Sequence, residues 1–132
     1  MFIDTSVIVA LLADEPDAAH YAERIEKSAG CLTSGLVILE ASMRLATMLD
    51  IDPILVEARI GRLLAEAQVA VMPIDDVVAT AAVGAFARYG KGRGHRAQLN
   101  LADCMSYACA KVRGVSLLFK GNDFSRTDIM QA

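Results

Sequence analysis

The sequence predicts an α/β domain, a mostly parallel sheet covered by helices on both faces. Three observations predict it. Apolar runs of strand length, at 1–4, 31–34, 69–74 and 115–119, alternate with helical patterns. Hydrophobic residues make up 55% of the chain but aromatics only 5%, so the apolar content is mostly Ala, Val, Leu and Ile. Such side chains suit helices packed closely on a buried sheet. Finally, 132 residues fit one domain, spanning 1–132. A domain of that size buries roughly two-thirds of its unfolded surface and needs no staples.

The elements follow in order. Met1 to Asp4 reads as a short buried strand ending at an acid. Thr5 and Ser6 then offer helix-capping chemistry before a helix over Val7 to Ala13. Asp14, Glu15 and Pro16 close that element. Residues 17–29 read as an amphipathic helix with Ala19, Tyr21, Ala22 and Ile25 facing inward, stopped by Gly30. Cys31 to Ser34 is a second strand, and a long helix runs from Gly35 to Leu49. Asp52-Pro53 restarts the chain, with Pro at a first helical position, and 54–67 is the next helix. Val69 to Ile74 is a third strand. Asp75 and Asp76 lead into a helix from 77 to about 89. Residues 90–98 form a Gly-rich basic loop. A helix starts at Asn100 or its neighbour and runs to about Val112, ended by Gly114. Val115 to Phe119 is a fourth strand, followed by a turn at 121–124 and a short tail. No repeat, linker or low-complexity segment interrupts this pattern.

Charge and cysteine content narrow the function classes. The net charge is −3, from 13 basic and 16 acidic residues, which argues against a general nucleic-acid binder. It leaves room for an enzyme that holds a phosphodiester through a metal and a local basic patch. Cys31, Cys104 and Cys109 form no CxxC pair and read as small core residues in a reducing compartment. No apolar run approaches the ~20 residues of a membrane helix. An acid as early as Asp4 does not suit a signal peptide. The expectation is a cytoplasmic protein.

Most of the acids fall where solvent or helix caps explain them, among them Asp14, Glu15, Asp17, Glu23, Glu26, Asp50, Asp52, Glu57 and Glu66. Asp75 and Asp76 read as cap and first-turn acids. Four acids read differently. Asp4 lies beyond a strand's carboxyl end, where open parallel sheets bind ligands, and the competing reading is a helix cap. Glu40 sits in an apolar stretch on one face with Leu36 and Met43. A buried unpaired carboxylate is costly and calls for a cation or a raised pKa, unless Glu40 reaches water at a rim beside Arg44 or Thr47. Asp103 has apolar neighbours, yet its spacing from Asn100 is that of a capping box. Asp123 follows the fourth strand by a Gly turn, which it serves equally well as a turn residue. His20 and His95 lack partners at metal-ligand spacing.

Taken together, Ile3-Asp4-Thr5-Ser6, Glu40, Asn100-Leu-Ala-Asp103-Cys and Phe119-Lys-Gly-Asn-Asp123-Phe resemble the PIN-domain nucleases, specifically the VapC toxins of toxin–antitoxin pairs. Order and spacing match along essentially the whole chain. The resemblance implies a three-layer α/β/α sandwich. It implies that Asp4, Glu40, Asp103 and Asp123 converge as catalytic and metal-binding residues around Mg²⁺ or Mn²⁺, with Ser6 orienting Asp4. It further implies RNA cleavage to a 5′-phosphate and a 3′-hydroxyl, a homodimer, and a small antitoxin presenting Arg to the acids. The apolar surface of the early helices, such as Leu11 and Leu12, would take the rest of that antitoxin. One departure stands out: where some relatives carry an acid two residues before the position of Asp123, this chain has Gly121, which opens a water-mediated role for Asp123.

The chemistry agrees on general grounds. Clustered carboxylates repel, and a divalent cation relieves the repulsion. Such a cation polarises a phosphoryl oxygen and activates water. Asn100 serves to orient Asp103 as well as to cap. The basic loop carries Arg88, Lys91, Arg93 and Arg96 with His95 and three glycines between them. Lys91, Arg93 and Arg96 are the candidate RNA-binding residues; the competing reading is a solvated loop. No aromatic platform is interleaved, which favours recognition of a structured RNA by shape. The leading expectation is a toxin endoribonuclease. The alternatives are a related nuclease in RNA processing or acting on DNA, and a catalytically silent antitoxin-binding module. A phosphoryl receiver domain normally needs paired acids after its first strand, and Asp4 stands alone.

Overall fold

The computed structural model describes residues 1–132. Ten elements follow one another: β1 (Phe2–Ile3), α1 (Thr5–Leu12), α2 (Ala18–Glu26), β2 (Cys31–Ser34), α3 (Gly35–Leu49), α4 (Pro53–Glu66), β3 (Val69–Met72), α5 (Asp76–Tyr89), α6 (Leu101–Arg113) and β4 (Leu117–Leu118). The strands form one sheet in the order β3-β2-β1-β4, and every pair is parallel. Phe2 pairs with Leu32 on one side and Leu117 on the other. Successive residues of a strand face opposite sides of the sheet. Phe2 and Ile3 are both fully buried, so helices cover both faces at β1. This is the expected helix–sheet–helix arrangement.

Short polar residues start the helices, and Asp4 rather than Thr5 or Ser6 caps α1, which begins at Thr5 instead of Val7. Ser34 caps α3 by accepting from the Val37 amide, Asp52 caps α4 ahead of Pro53, and Asp75 caps α5 through the Val78 amide. The three cysteines are free and buried. No helix is long and apolar enough to cross a membrane.

Several expectations are corrected. The second helix is Ala18–Glu26 rather than 17–29, and only Tyr21 and Ile25 of its four expected inward residues are buried. Ala19 and Ala22 are exposed, because a helix this short seats only one narrow stripe on the core. The fourth strand contracts to Leu117–Leu118, and β3 ends at Met72. The tail is not a loose end. The Leu117 amide donates to Met130 O, and Leu117 O accepts from the Ala132 amide, adding one parallel bridge at the β4 edge. Phe124 and Ile129 bury their side chains beneath that return.

Candidate active site

The strand order places a switch point between β1 and β4. From β1 the chain lays down β2 and then β3 in one direction, and afterwards inserts β4 on the other side of β1. At such a point the crossovers diverge and leave a crevice beyond the carboxyl ends of the strands. Asp4 follows β1 immediately, and the segment from Lys120 to Asp123 follows β4.

Asp4 caps α1 and is at the same time a buried acid at the carboxyl end of β1. It is only 6% exposed. Its Oδ2 accepts from the Ser6 amide at 3.0 Å and from Ser6 Oγ at 2.7 Å. Ser6 Oγ in turn accepts from the Lys120 amide at 2.9 Å. One hydroxyl therefore ties Asp4 to the chain leaving β4. Oδ1 of Asp4 receives no protein donor.

Asp103 lies in the first turn of α6 and closes a capping box with Asn100. The Asn100 amide donates to Asp103 Oδ2 at 2.9 Å, and the Asp103 amide donates to Asn100 Oδ1 at 2.9 Å. This again pins one carboxylate oxygen and leaves the other free. Glu40, on α3, is half-buried rather than buried, with Met43 beside it 60% exposed. The desolvation expected from the sequence is therefore small, and Glu40 sits at a rim. Its partner is neither Arg44 nor Thr47: Thr5 Oγ1 donates to Glu40 Oε2 at 2.9 Å. Asp123 is exposed and accepts no hydrogen bond from the protein.

The four acids share one electrostatic environment. Burial pushes the Asp103 carboxyl up to about 7, although the Asn100 amide favours its charged form. The negative charges of Asp4, Asp123 and Glu40 push it further in the same direction. No three His, Cys, Asp or Glu side chains stand close enough to enclose a metal ion on their own. The donor set nonetheless suits a hard, hydrated cation. Mg²⁺ takes one or two carboxylates directly and keeps several waters, so it needs no protein cage. Three acids with one restrained and one free oxygen each offer that geometry.

The cations of the nearby segments are in unequal states. Lys120 Nζ is held by Glu15 and by Asp17 Oδ1 at 2.7 Å, which raises its pKa. Those contacts anchor the α1–α2 connection to the segment carrying Asp123. Of the expected RNA-binding residues, Lys91, Arg93 and Arg96 are all exposed. Arg93 lies over the Phe86 ring, 5.7 Å from its centroid, and Lys91 borders an apolar groove between α5 and α6. Arg88 is bound to Tyr89 and Asp128. Sequence reading gave Thr5 only a capping role, missing its bond to Glu40, and passed over the Lys120 amide and Arg126. Only Thr5 carried a signal, as the hydroxyl between Asp4 and Ser6.

Known proteins resemble this chain along nearly its whole length. The PIN domain family model matches residues 1–130. Ribonuclease VapC28 of Mycobacterium tuberculosis is 40% identical over 132 residues, covering 100% of this chain and 97% of the relative. A ribonuclease VapC of Mycolicibacterium smegmatis is 44% identical over 137 residues, covering 98% and 97%. Among solved structures, Mycobacterium tuberculosis VapC20, described as a sarcin-ricin loop cleaving toxin, superposes with a TM-score of 0.76 at 18% identity, covering 99% of this chain and 97% of that one. A toxin–antitoxin complex from Klebsiella pneumoniae gives a TM-score of 0.70 at 17% identity, covering 96% and 92%.

Proposed function

This chain belongs to the PIN-domain family, among the VapC ribonucleases of toxin–antitoxin systems, and from that premise we propose that Asp4, Glu40, Asp103 and Asp123 form its catalytic centre. The observation that carries the assignment is geometric: Asp4 and Asp123 lie beyond the adjacent strands β1 and β4, Ser6 Oγ ties Asp4 to the Lys120 amide, and Thr5 beside Asp4 donates to Glu40, while the charges of all three help to raise the Asp103 carboxyl. Each acid comes from a different element, and no single helix or turn needs that convergence for its own stability.

The family uses a divalent metal ion, and Mg²⁺ or Mn²⁺ fits an all-oxygen donor set. When bound, such an ion polarises a phosphoryl oxygen and lowers the pKa of water for in-line attack. The chain's own residues set the stage for that chemistry. Ser6, Thr5 and Asn100 fix the orientation of Asp4, Glu40 and Asp103, so their free oxygens are aimed before substrate arrives. Asp123, exposed and unrestrained, acts through water rather than as a rigid ligand. Hydrolysis adds the water oxygen to phosphorus, breaks the bond to the 3′ oxygen, and leaves a 5′-phosphate and a 3′-hydroxyl.

The substrate is RNA, and a folded RNA such as tRNA or rRNA suits a surface without an aromatic stacking platform. The neighbour VapC20 is described as cleaving the sarcin-ricin loop. The partner is a small antitoxin, as in the Klebsiella pneumoniae complex. The half-buried Leu11 lines a cleft with Ala22, Ile25, Leu63 and Ala67 that would receive its apolar residues, while an Arg would meet the acids. A homodimer and a cytoplasmic site of action complete the reading. The test is mapping of RNA ends after brief induction in cells, with and without the neighbouring small protein. New 5′-phosphate ends that vanish on co-expression are expected. Absence of new ends would contradict the reading.

A further inference from the structure

Two arginines from separate loops face one cleft, and neither has an acidic partner. Gly94, His95 and Arg96 of the basic loop line it together with Arg126 from the segment after β4. Four of the thirteen basic residues, Lys27, Arg88, Lys111 and Lys120, are matched to carboxylates; what sets Arg96 and Arg126 apart from the other unpaired ones is that they line the same cleft. Bringing two guanidinium groups together without a counter-charge is unfavourable unless an anion joins them.

The surrounding backbone points the same way. The amides of Gly94, His95 and Arg96 donate to no protein acceptor, giving three consecutive free donors. Gly94 has φ +83°, a left-handed conformation that L side chains rarely adopt, so the loop's shape depends on glycine. His95 is held in place. Its Nδ1 accepts from the Ala97 amide at 3.1 Å, and its ring meets Tyr89 edge-on at 4.8 Å. With Nδ1 accepting, Nε2 is the nitrogen left to donate. The backbone on either side of Arg126 is held as well. Phe124 is buried, and the Thr127 amide and hydroxyl both bond to Phe124 O. Arg126 is three residues beyond Asp123, at most about 10 Å along the chain.

We propose that Arg96 and Arg126, with His95 and the free amides of the loop, form a phosphate-binding cleft that grips the RNA backbone beside the acid crevice. This rests on the ribonuclease reading and names a part of the substrate grip. Arg126 is the element that a reading of the basic loop alone omits. Arg93, seated on Phe86, contributes less. Arginine suits the task because its planar fork matches two phosphate oxygens at once.

The test uses the full chain and a short, fluorescently labelled RNA hairpin, with Ca²⁺ replacing Mg²⁺ to slow cleavage. Binding is measured at several salt concentrations for the parent, for Arg96→Ala with Arg126→Ala, for the pair of Lys replacements, and for Arg113→Ala at the far end of α6. Thermal midpoints confirm folding. The Ala pair is expected to weaken binding about tenfold or more. It should also reduce the slope of log affinity against log salt by about 0.7 to 0.9, the value for one phosphate. The Lys pair should recover the slope but only part of the affinity. Arg113→Ala should match the parent. Unchanged affinity and slope in the Ala pair, or an equal loss in Arg113→Ala, would overturn the cleft. Failure of the parent to cleave RNA with Mg²⁺ would instead count against the ribonuclease reading, while a loss of binding in the Ala pair would still support the cleft.

Discussion

Thr5 Oγ1 donates to Glu40 Oε2 at 2.9 Å, joining two residues 35 positions apart in the chain. Thr5 is buried in the first turn of α1, and Glu40 is half-buried on α3. The bond restrains one oxygen of Glu40 and leaves the other without a protein donor. Thr5→Val keeps the shape and removes the donor. It should raise the Mg²⁺ concentration needed for half-maximal cleavage by about tenfold, as expected for loss of an outer partner to a ligand. The plateau rate should change less. Single-turnover cleavage across a Mg²⁺ series checks it, and an unchanged midpoint would remove Thr5 from the site.

Binding of Mg²⁺ should stabilise the folded chain, because only the folded state gathers the acids. At a hundredfold excess over Kd, one site contributes about 2.7 kcal/mol. Asp103→Asn keeps an oxygen to accept from the Asn100 amide, so the capping box survives. That variant should lose the Mg²⁺-induced rise in thermal midpoint. A rise equal to the parent's would place the ion elsewhere.

The fold was legible because local signals and long-range packing agree in it. Ser34, Asp52, Asp75 and Asn100 cap the helices that follow them, and the strand runs are largely buried except at the edge strand β3, where Ala70 and Val71 are exposed. Asp4 and Asp103 were legible as acids at element ends, and the capping box of Asp103 with Asn100 was legible from its spacing, but the bond of Ser6 Oγ to the Lys120 amide was not. The partner of Glu40 was not legible, because pairing Thr5 with Glu40 requires knowing that α1 packs on α3. The tail bridge to Leu117 and the meeting of Arg126 with Arg96 are likewise products of tertiary structure, with no periodicity to announce them.

Gly90 starts the basic loop, and its substitution should be costly for a reason other than backbone strain. A Cβ there would lie 2.5 Å from Phe86 O, a backbone atom that cannot rotate away, and 2.2 Å from Phe86 Cδ2. Gly90→Ala should destabilise by about 1–3 kcal/mol through overpacking. Chemical denaturation measures it. A stability equal to the parent's would mean that α5 and the loop shift freely.

Ser42 carries the one buried side-chain polar atom without a hydrogen-bond partner. It lies in α3, where Ala also has the better helix propensity. Ser42→Ala should stabilise the protein by about 1 kcal/mol. A lower thermal midpoint would show that the hydroxyl has a role in folding that its surroundings do not reveal.

Acid stability should depend on Asp128. Its carboxyl is held down to about 2, first by the Tyr107 hydroxyl and then by Lys111. A carboxyl with a lower pKa folded than unfolded contributes stability above its unfolded value, near 4, and loses it as pH falls toward 2. Exposure to solvent keeps the contribution modest. Asp128→Asn should therefore lower stability at neutral pH and flatten its decline between about pH 4 and 2. Parallel curves for parent and variant across that window would contradict this.

The most direct measurement of the four-acid centre is the rate of Mg²⁺-dependent cleavage of total bacterial RNA by the purified parent and by Asp4→Asn, Glu40→Gln, Asp103→Asn and Asp123→Asn, each confirmed to be folded. The expected result is a loss of more than about a hundredfold for Asp4→Asn and Asp103→Asn, since first ligands matter more than the 10–100-fold of their outer partners. Glu40→Gln should fall clearly, and the exposed Asp123→Asn least. Full activity in Asp4→Asn or Asp103→Asn would contradict the assignment of catalysis to this crevice.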